Sequence, residues 1–473
     1  MISVTLGWIA KQIGGQLSTN SVADMLIDEV ATDTRTISSG NVFFALIGEN
    51  FDGHEYALNA LEKGAAALVV SKKVLSPLPM ILVEDTRVAL GKLANAVKEK
   101  VAPKTIGITG SSGKTTVKEM TSSILQHCGK TLATAGNFNN DIGVPLTLLR
   151  LTEQHEFAVI EMGANHQGEI DYTASLVKPD VATIVNAEPS HLQGFGSLFG
   201  VARAKSEIFA GISEYGSAVI NTDSQFFEFW QGKCDHINKI TFSPSSAKGD
   251  FHAKNTSINA DGCAEFELVT PSGSIPVRLR VPGAHNIGNA VLAAALTMQV
   301  GADLKHIQSG LFDMRSVKGR LTVINVSKNI RVLDDTYNAN VASVKAAIDL
   351  LVNFKGPRIL VFGDMGELGD QAPTYHQQIG EYAKTHDVDA VITMGELSVH
   401  ASQVMGKQGT HCDSVDDILV QITALVQAAE KAAKLPVSIL IKGSRSAKME
   451  RVTQAIQEYH GFQVNQSEES NLC

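Results

Sequence analysis

The chain has 473 residues, of which 44% are hydrophobic, 19% charged and only 6% aromatic, and it carries a formal net charge of −9. That length exceeds one ordinary core and predicts roughly two to four domains. The acidic balance excludes a general nucleic-acid or anionic-membrane binder, whose surface is basic, so an anionic ligand has to be met by local cations.

The opening segment, MISVTLGWIAKQIGG, shows helical spacing in Leu6, Ile9 and Ile13 and lacks the basic flank and apolar stretch of a signal peptide. No apolar run reaches the length of a membrane span, so no membrane insertion is expected. Cys128, Cys234, Cys263, Cys412 and Cys473 are scattered without a C-x-x-C pair and read as reduced thiols of a cytoplasmic protein.

Helix spacing followed by the short strands VFFALIG, AAALVV and MILVE predicts a small α/β unit over residues 1–85. A helix, RVALGKLANAVKEK, leads into a second unit over 86–315, where TIGIT, FAVIEMG, VATIVN and SAVIN alternate with helical segments. Short apolar strands between helices predict a parallel sheet covered on both faces. AEFELVTPSGSIPVRLRV alternates polar and apolar residues around a turn, which predicts an antiparallel hairpin at the sheet edge. A third unit, 316–473, repeats the strand–helix rhythm in IRVLDD, RILVFGD, DAVITMG and SILIKGS, as a doubly wound sheet does. The fold class expected is therefore α/β, with a central ATPase-type parallel sheet between a small N-terminal unit and a Rossmann-like C-terminal one.

GITGSSGKTT, residues 107–116, breaks the common phosphate-loop pattern, because the position five before Gly113 is Ile108 rather than glycine. Its context, strand before and helix after, is nevertheless that of a phosphate loop. Gly110 and Gly113 allow close backbone approach, Lys114 supplies a cation, and the Thr115 hydroxyl suits Mg²⁺. Ligands of open α/β sheets bind beyond the carboxyl ends of the strands, which draws in Glu161 after FAVI and His191 in the loop AEPSHLQGFG. Taken singly, the first reads as a solvated rim residue and the second as a structural histidine; together they raise the prospect of metal binding.

Lys205 has Val201, Ile208 and Phe209 at i−4, i+3 and i+4, so it sits on the face of its helix that should be buried. An ammonium there needs a partner or a changed chemistry: desolvation favours the neutral amine, which can react with CO2 to give a carbamate ligand. The alternative is a lysine that snorkels to solvent. In the third unit LDDTYNAN offers Asp335, Asn338 and Asn340, HNIGNA puts His285 and Asn289 on one helical face, and IKGSRSAKME clusters Lys442, Arg445 and Lys448.

These residues together resemble the Mur ligases, which build the peptide of the peptidoglycan precursor; TGSSGKT fits that family's loop, T-G-[ST]-x-G-K-[ST], and the likeness covers nearly the whole chain. GNFNNDIGVPLTLL, EMGANHQGEI, DDTYNAN, GDMGELG and KGSRSAKME resemble the last ligase of the series, which joins D-alanyl-D-alanine to UDP-N-acetylmuramoyl-tripeptide with ATP. The resemblance implies ATP and two Mg²⁺ ions, a precursor-binding first unit and a monomer. It makes Gly110, Ser111, Ser112, Gly113, Lys114, Thr115 and Thr116 nucleotide contacts. It makes Thr115, Glu161, His191 and carbamylated Lys205 metal ligands, with Lys114, Glu161, His191 and Lys205 catalytic. Asn289, Arg320 and Asp335 become adenine-, phosphate- and ribose-side groups, Thr34 and Arg35 uridine-side groups, and Asn139 and Asn140 substrate contacts. Val341 departs from the family, which usually has proline there. The alternatives are the preceding ligase, which adds the third amino acid, and a folylpolyglutamate synthetase-like ligase. A GTPase would need N-K-x-D, which NKIT at 238–241 does not supply, and GDMGELG does not provide the G-x-G-x-x-G of an oxidoreductase.

Overall fold

The computed structural model describes residues 1–190 and 192–469, with side chains described as far as residue 460. Leu6, Ile9 and Ile13 lie on the buried face of α1 (Leu6–Ile13), whose first turn is capped by Thr5, its hydroxyl accepting the Trp8 N–H at 3.1 Å. Five short strands follow: β1 (Gln16–Leu17), β2 (Val30–Ala31), β3 (Val42–Phe44), β4 (Ala67–Val70) and β5 (Met80–Leu82). They form one sheet in the order β1-β5-β4-β3-β2, parallel except for β1. Asp85 caps α2 (Thr86–Val101), and Leu90, Leu93 and Val97 on its buried face share one apolar core with Leu6 and Phe44 of the first unit and Ile160 of the second.

The middle of the chain builds β6 (Lys104–Thr109), α3 (Lys114–Gln126), β7 (Thr131–Ala133), β8 (Phe157–Glu161), α4 (Glu169–Val177), β9 (Val181–Ile184), α5 (Leu198–Ser206), β10 (Ser217–Asn221) and β11 (Asn238–Ser243). It continues with β12 (Phe251–Ile258), β13 (Cys263–Thr270), β14 (Gly273–Pro282) and α6 (His285–Met298). The nine strands order as β14-β13-β12-β11-β10-β9-β6-β8-β7, parallel from β7 to β12 and antiparallel in the terminal β12-β13-β14 meander, where the hairpin was expected. β6 has β8 on one side and β9 on the other, so the loop leaving its carboxyl end opens where the chain winds in both directions.

The helical segment that carries Lys205, LFGVARAKSEIFAGI, divides in two, α5 followed by a 3₁₀ segment, Glu207–Gly211. The carboxylate of Glu207 accepts the N–H groups of Gly168 and Asp171 at the start of α4, at 2.9 and 3.1 Å. Gly211 passes Ala174 of α4 so closely that a Cβ would lie 2.6 Å from it.

The third unit comprises β15 (Thr322–Ser327), β16 (Ile330–Asp335), α7 (Val341–Leu351), β17 (Arg358–Gly363), α8 (Ala372–Thr385), β18 (Ala390–Met394), β19 (Gly409–His411), β20 (Val437–Lys442) and α9 (Glu450–Glu469). Its six strands run β15-β16-β20-β17-β18-β19, all parallel except β15. Separate apolar clusters cover its two faces, one under α7 and α8 and the other containing Ile418, Ile422 and Ile456. Among the described residues no helix is long and apolar enough to cross a membrane.

Candidate active site

The carboxyl ends of the central strands face the start of α7 across a cavity of about 650 Å³, within the range of small-molecule sites. The phosphate loop forms one wall. Gly110 takes φ +157° and Gly113 φ +77°, and a Cβ on Gly110 would meet Val185 at 2.9 Å, so these two positions need glycine for different reasons, close approach and left-handed backbone. The residues just past β9 hold the loop in shape. Asn186 accepts the Ser112 N–H with its side-chain oxygen, donates to the Ser112 hydroxyl, and takes the Ser111 N–H on its carbonyl, each at 3.0 Å. Ser111 Oγ donates to the Glu188 carbonyl and accepts the Glu188 N–H, and Ser190 Oγ donates to it at 3.0 Å. Sequence reasoning missed Asn186, Glu188 and Ser190. The rule that led to Glu161, that groups just past the neighbouring strands face the ligand, points equally to them.

Lys114 Nζ donates to the loop's own carbonyls, Gly110 at 2.7 Å and Ser111 at 3.4 Å. Loss of bulk water lowers its pKa, the Glu161 charge opposes that shift, and Arg320 adds to it. Thr115, in the first turn of α3, donates its hydroxyl to Glu161 Oε2 at 2.9 Å, while Asn139 Nδ2 donates to Oε1 at 2.8 Å. Glu161 is 2% exposed. Neutral donors orient its two oxygens and leave its charge for a cation, and with the Thr115 hydroxyl it makes a hard-oxygen pair of the kind that suits Mg²⁺. Thr116 and Asn140 also line the cavity, with Asn140 Oδ1 accepting the Gly143 N–H at 2.8 Å. His191 lies outside the described residues.

Lys205 is on the buried face of α5, 2% exposed, with its amine reaching the same cavity. Among the described residues its Nζ has no hydrogen bond or ion pair; its neighbour is the Phe195 ring, centroid 5.9 Å away. Burial first, and the charge of Lys114 second, hold its pKa well below the ordinary lysine value. Snorkelling is therefore not what this lysine does. Arg203 and Glu207 turn away, Arg203 donating to Gln167 at 2.5 Å.

From α6, Asn289 approaches Gly113, whose Cβ position is 3.3 Å from Asn289 Oδ1, and Asn289 Nδ2 donates to Asn286 at 2.9 Å. His285 lines the cavity one turn earlier, and burial lowers its pKa. The third unit contributes Arg320, whose guanidinium lies 4.1 Å over the Tyr337 ring, and Asp335 at the end of β16. Asp335 Oδ2 takes a 2.5 Å hydrogen bond from Lys442, which also donates to the Asn338 carbonyl at 2.9 Å; Asp335 Oδ1 accepts the Leu321 N–H at 3.2 Å. The basic cluster seen in the sequence thus separates: Lys442 is buried on Asp335, and Arg445 pairs with Glu450 at 3.0 Å. Asn340 uses its side chain to cap α7. Thr34 and Arg35 stand apart from this cavity in a 3₁₀ turn, Thr34–Thr36, where the Arg35 side chain is 86% exposed and paired with Asp33.

Three family models match: "Mur ligase family, catalytic domain" over residues 26–98, "Mur ligase middle domain" over 108–297 and "Mur ligase, glutamate ligase domain" over 319–445. UDP-N-acetylmuramoyl-tripeptide--D-alanyl-D-alanine ligase of Escherichia coli (strain K12) is 47% identical over 458 residues, covering 97% of this chain and 99% of that protein. The chain belongs to the Mur ligase family. Among solved structures, this Mur ligase is similar to MurF from Acinetobacter baumannii, with TM-score 0.91, 36% identity and coverage of 96% of this chain and 99% of that one. It also resembles the MurF ligase from Thermotoga maritima in complex with ADP, with TM-score 0.81, 27% identity and coverage of 92% and 98%. The cavity of this Mur ligase therefore lies in a fold that holds an adenine nucleotide in a relative.

Proposed function

We propose that the protein joins D-alanyl-D-alanine to UDP-N-acetylmuramoyl-tripeptide at the expense of ATP, releasing UDP-N-acetylmuramoyl-pentapeptide, ADP and phosphate. The observation that carries this reading is the identity with the Escherichia coli enzyme of that name, which runs through all three units rather than through the nucleotide loop alone. The preceding ligase of the series and a folylpolyglutamate synthetase-like enzyme are not favoured, because the relatives at 40–47% identity all bear the D-alanyl-D-alanine ligase name.

A carboxylate is a poor electrophile, so the tripeptide carboxyl is first phosphorylated by ATP; the dipeptide amine attacks the acyl phosphate, and phosphate leaves from a tetrahedral intermediate. Residues 1–85 serve the precursor, with Thr34 and Arg35 beside its uridine nucleotide; 86–315 serve ATP and the chemistry; 316–473 complete the nucleotide site. The loop from Gly110 to Thr116 cradles phosphate oxygens with backbone N–H groups at the start of α3. Lys114 turns from its own loop carbonyls to the transferring phosphoryl group, where its charge is worth most. Asn289 faces the adenine side, Arg320 the phosphates and Asp335 the ribose. Asn139 and Asn140 face the substrates.

Thr115, Glu161, His191 and Lys205 would hold Mg²⁺, two ions in the complete site, which when bound neutralises charge on phosphate oxygens. Lys205 fits that set only after reaction with CO2, in which its neutral amine adds to the carbon and loses a proton to leave a carboxylate-like carbamate. The buried amine, without a hydrogen bond or ion pair among the described residues, favours that reaction. Coordination would also balance a charge that the apolar neighbours cannot.

The test is phosphate release from ATP by the purified protein with the tripeptide precursor and D-alanyl-D-alanine each present or omitted. Release that needs both, with a pentapeptide product by mass, is the expected result. Release with the dipeptide precursor and a single diamino acid would assign the preceding step instead.

A further inference from the structure

Lys118 lies one turn beyond Lys114 on α3 and is 2% exposed, although nothing in the nucleotide chemistry uses it. Its Nζ pairs with Glu119 and donates to the carbonyl of Thr134 at 2.8 Å. Thr134 is the residue just past β7; its own N–H reaches the Val159 carbonyl on β8 at 3.1 Å, and its Oγ1 accepts the N–H of Glu161 at 3.0 Å. Five residues further on, Asn139 donates to Glu161 Oε1 and accepts the Gly163 N–H on its carbonyl, each at 2.8 Å. A continuous set of hydrogen bonds therefore runs from the Lys118 ammonium through Thr134 to the backbone of Glu161, and the loop that Lys118 anchors returns to the carboxylate itself.

We propose that Lys118 is a positioning residue that fixes the Glu161 carboxylate against the Thr115 hydroxyl, and so sets the affinity of the site for a divalent cation. This rests on Glu161 being a metal ligand, as proposed above. The physical reason is one of distance. Thr115 and Lys118 share a rigid helix, so a bond from Lys118 to the turn after β7 ties that turn to the helix that carries the other oxygen donor. Without it, Thr134 and Asn139 are held only from the β8 side, by their bonds to Val159, Glu161 and Gly163, and no described hydrogen bond ties the Thr134 carbonyl to α3. Burying an ammonium is costly, and an apolar side chain of the same length would fill the volume without that cost but would leave the Thr134 carbonyl unheld.

The experiment measures Mn²⁺ binding to the full-length chain saturated with ADP, by electron paramagnetic resonance, beside the Mg²⁺ dependence of phosphate release. Lys118→Met is expected to weaken Mn²⁺ about 10- to 100-fold, as removal of groups that orient metal ligands does. It should leave the KM for D-alanyl-D-alanine unchanged, and Lys118→Arg should recover most of the affinity. Thr134→Val, which keeps shape and removes the acceptor of the Glu161 N–H, should weaken Mn²⁺ as well, and it decides the matter if Lys118→Met does not fold. Glu161→Gln is the reference. If Glu161→Gln weakens Mn²⁺ while folded Lys118→Met and Thr134→Val bind it like the parent, the role of Lys118 is overturned and the ligand reading stands. If Glu161→Gln itself binds normally, both fall.

Discussion

Lys205 concentrates the chemistry of the site in one side chain, because its helical position buries an amine where no described carboxylate balances it. Lys205→Ala is expected to lower turnover at least about 10³-fold, the loss of a group that acts in the transition state, with a cooperative melt retained. Added formate or acetate should restore a small part of the rate by supplying the missing carboxylate. Full activity in that variant would remove Lys205 from the reaction. The contrast with Lys442 is instructive: that lysine is as deeply buried, but Asp335 meets it at 2.5 Å, so its charge is already matched. A ribose that bonds to Asp335 has to share it with Lys442. Lys442→Met should therefore alter the KM for ATP more than the KM for either other substrate, measured by steady-state kinetics.

Among the elements, α7 shows why a departure from the family can be silent. Asn340 is its N-cap, its side chain accepting the Ser343 N–H at 2.8 Å in a reciprocal capping box. Val341 is then the first helical residue, a position where proline is well tolerated because the N–H has no intrahelical partner. Asn340 already has the extended backbone that a following proline demands, φ −138° and ψ 168°. Val341→Pro is expected to raise stability by about 0.5 kcal/mol through the unfolded chain, with activity unchanged. Asn340→Ala should cost about 1 kcal/mol by loss of the cap. Paired urea melts of the two variants check both signs.

At the scale of the whole molecule, two buried histidines link stability to pH. His376 accepts the Met365 N–H on Nε2 and donates from Nδ1 to the Ala372 carbonyl, at 2.8 and 2.7 Å, and burial lowers its pKa and that of His460. Their folded values lie below the ordinary 6.5, so the unfolded chain binds more protons as pH falls. Their contribution is complete above pH 6.5 and is lost as pH drops from there through the folded values, at up to about 1.4 kcal/mol per pH unit for each group. The thermal midpoint should fall on acidification, and His376→Gln should flatten part of that slope. Because the cavity has walls from both the central and third units, ATP with the tripeptide precursor is expected to draw them together and exclude water from a hydrolysable acyl phosphate. A smaller radius of gyration by X-ray scattering is the expected sign, and an unchanged one would count against closure.

The periodicities of single elements were legible in the chain. Short apolar runs revealed the strands, the Gly-Lys-Thr motif the loop between β6 and α3, and spacings of three and four the buried face that carries Lys205, since these depend on neighbours a few residues away. Only the tertiary structure decided that Asp335 meets Lys442 across 107 residues, that Asn186 grips Ser112 across 74, and that Lys118 holds the turn before Asn139. It likewise brought Arg320 to a cavity walled by the phosphate loop and left Thr34 and Arg35 outside it. The physical reason is that secondary-structure patterns are local averages, whereas each of these contacts is a single hydrogen bond or packing choice fixed by how separate layers meet.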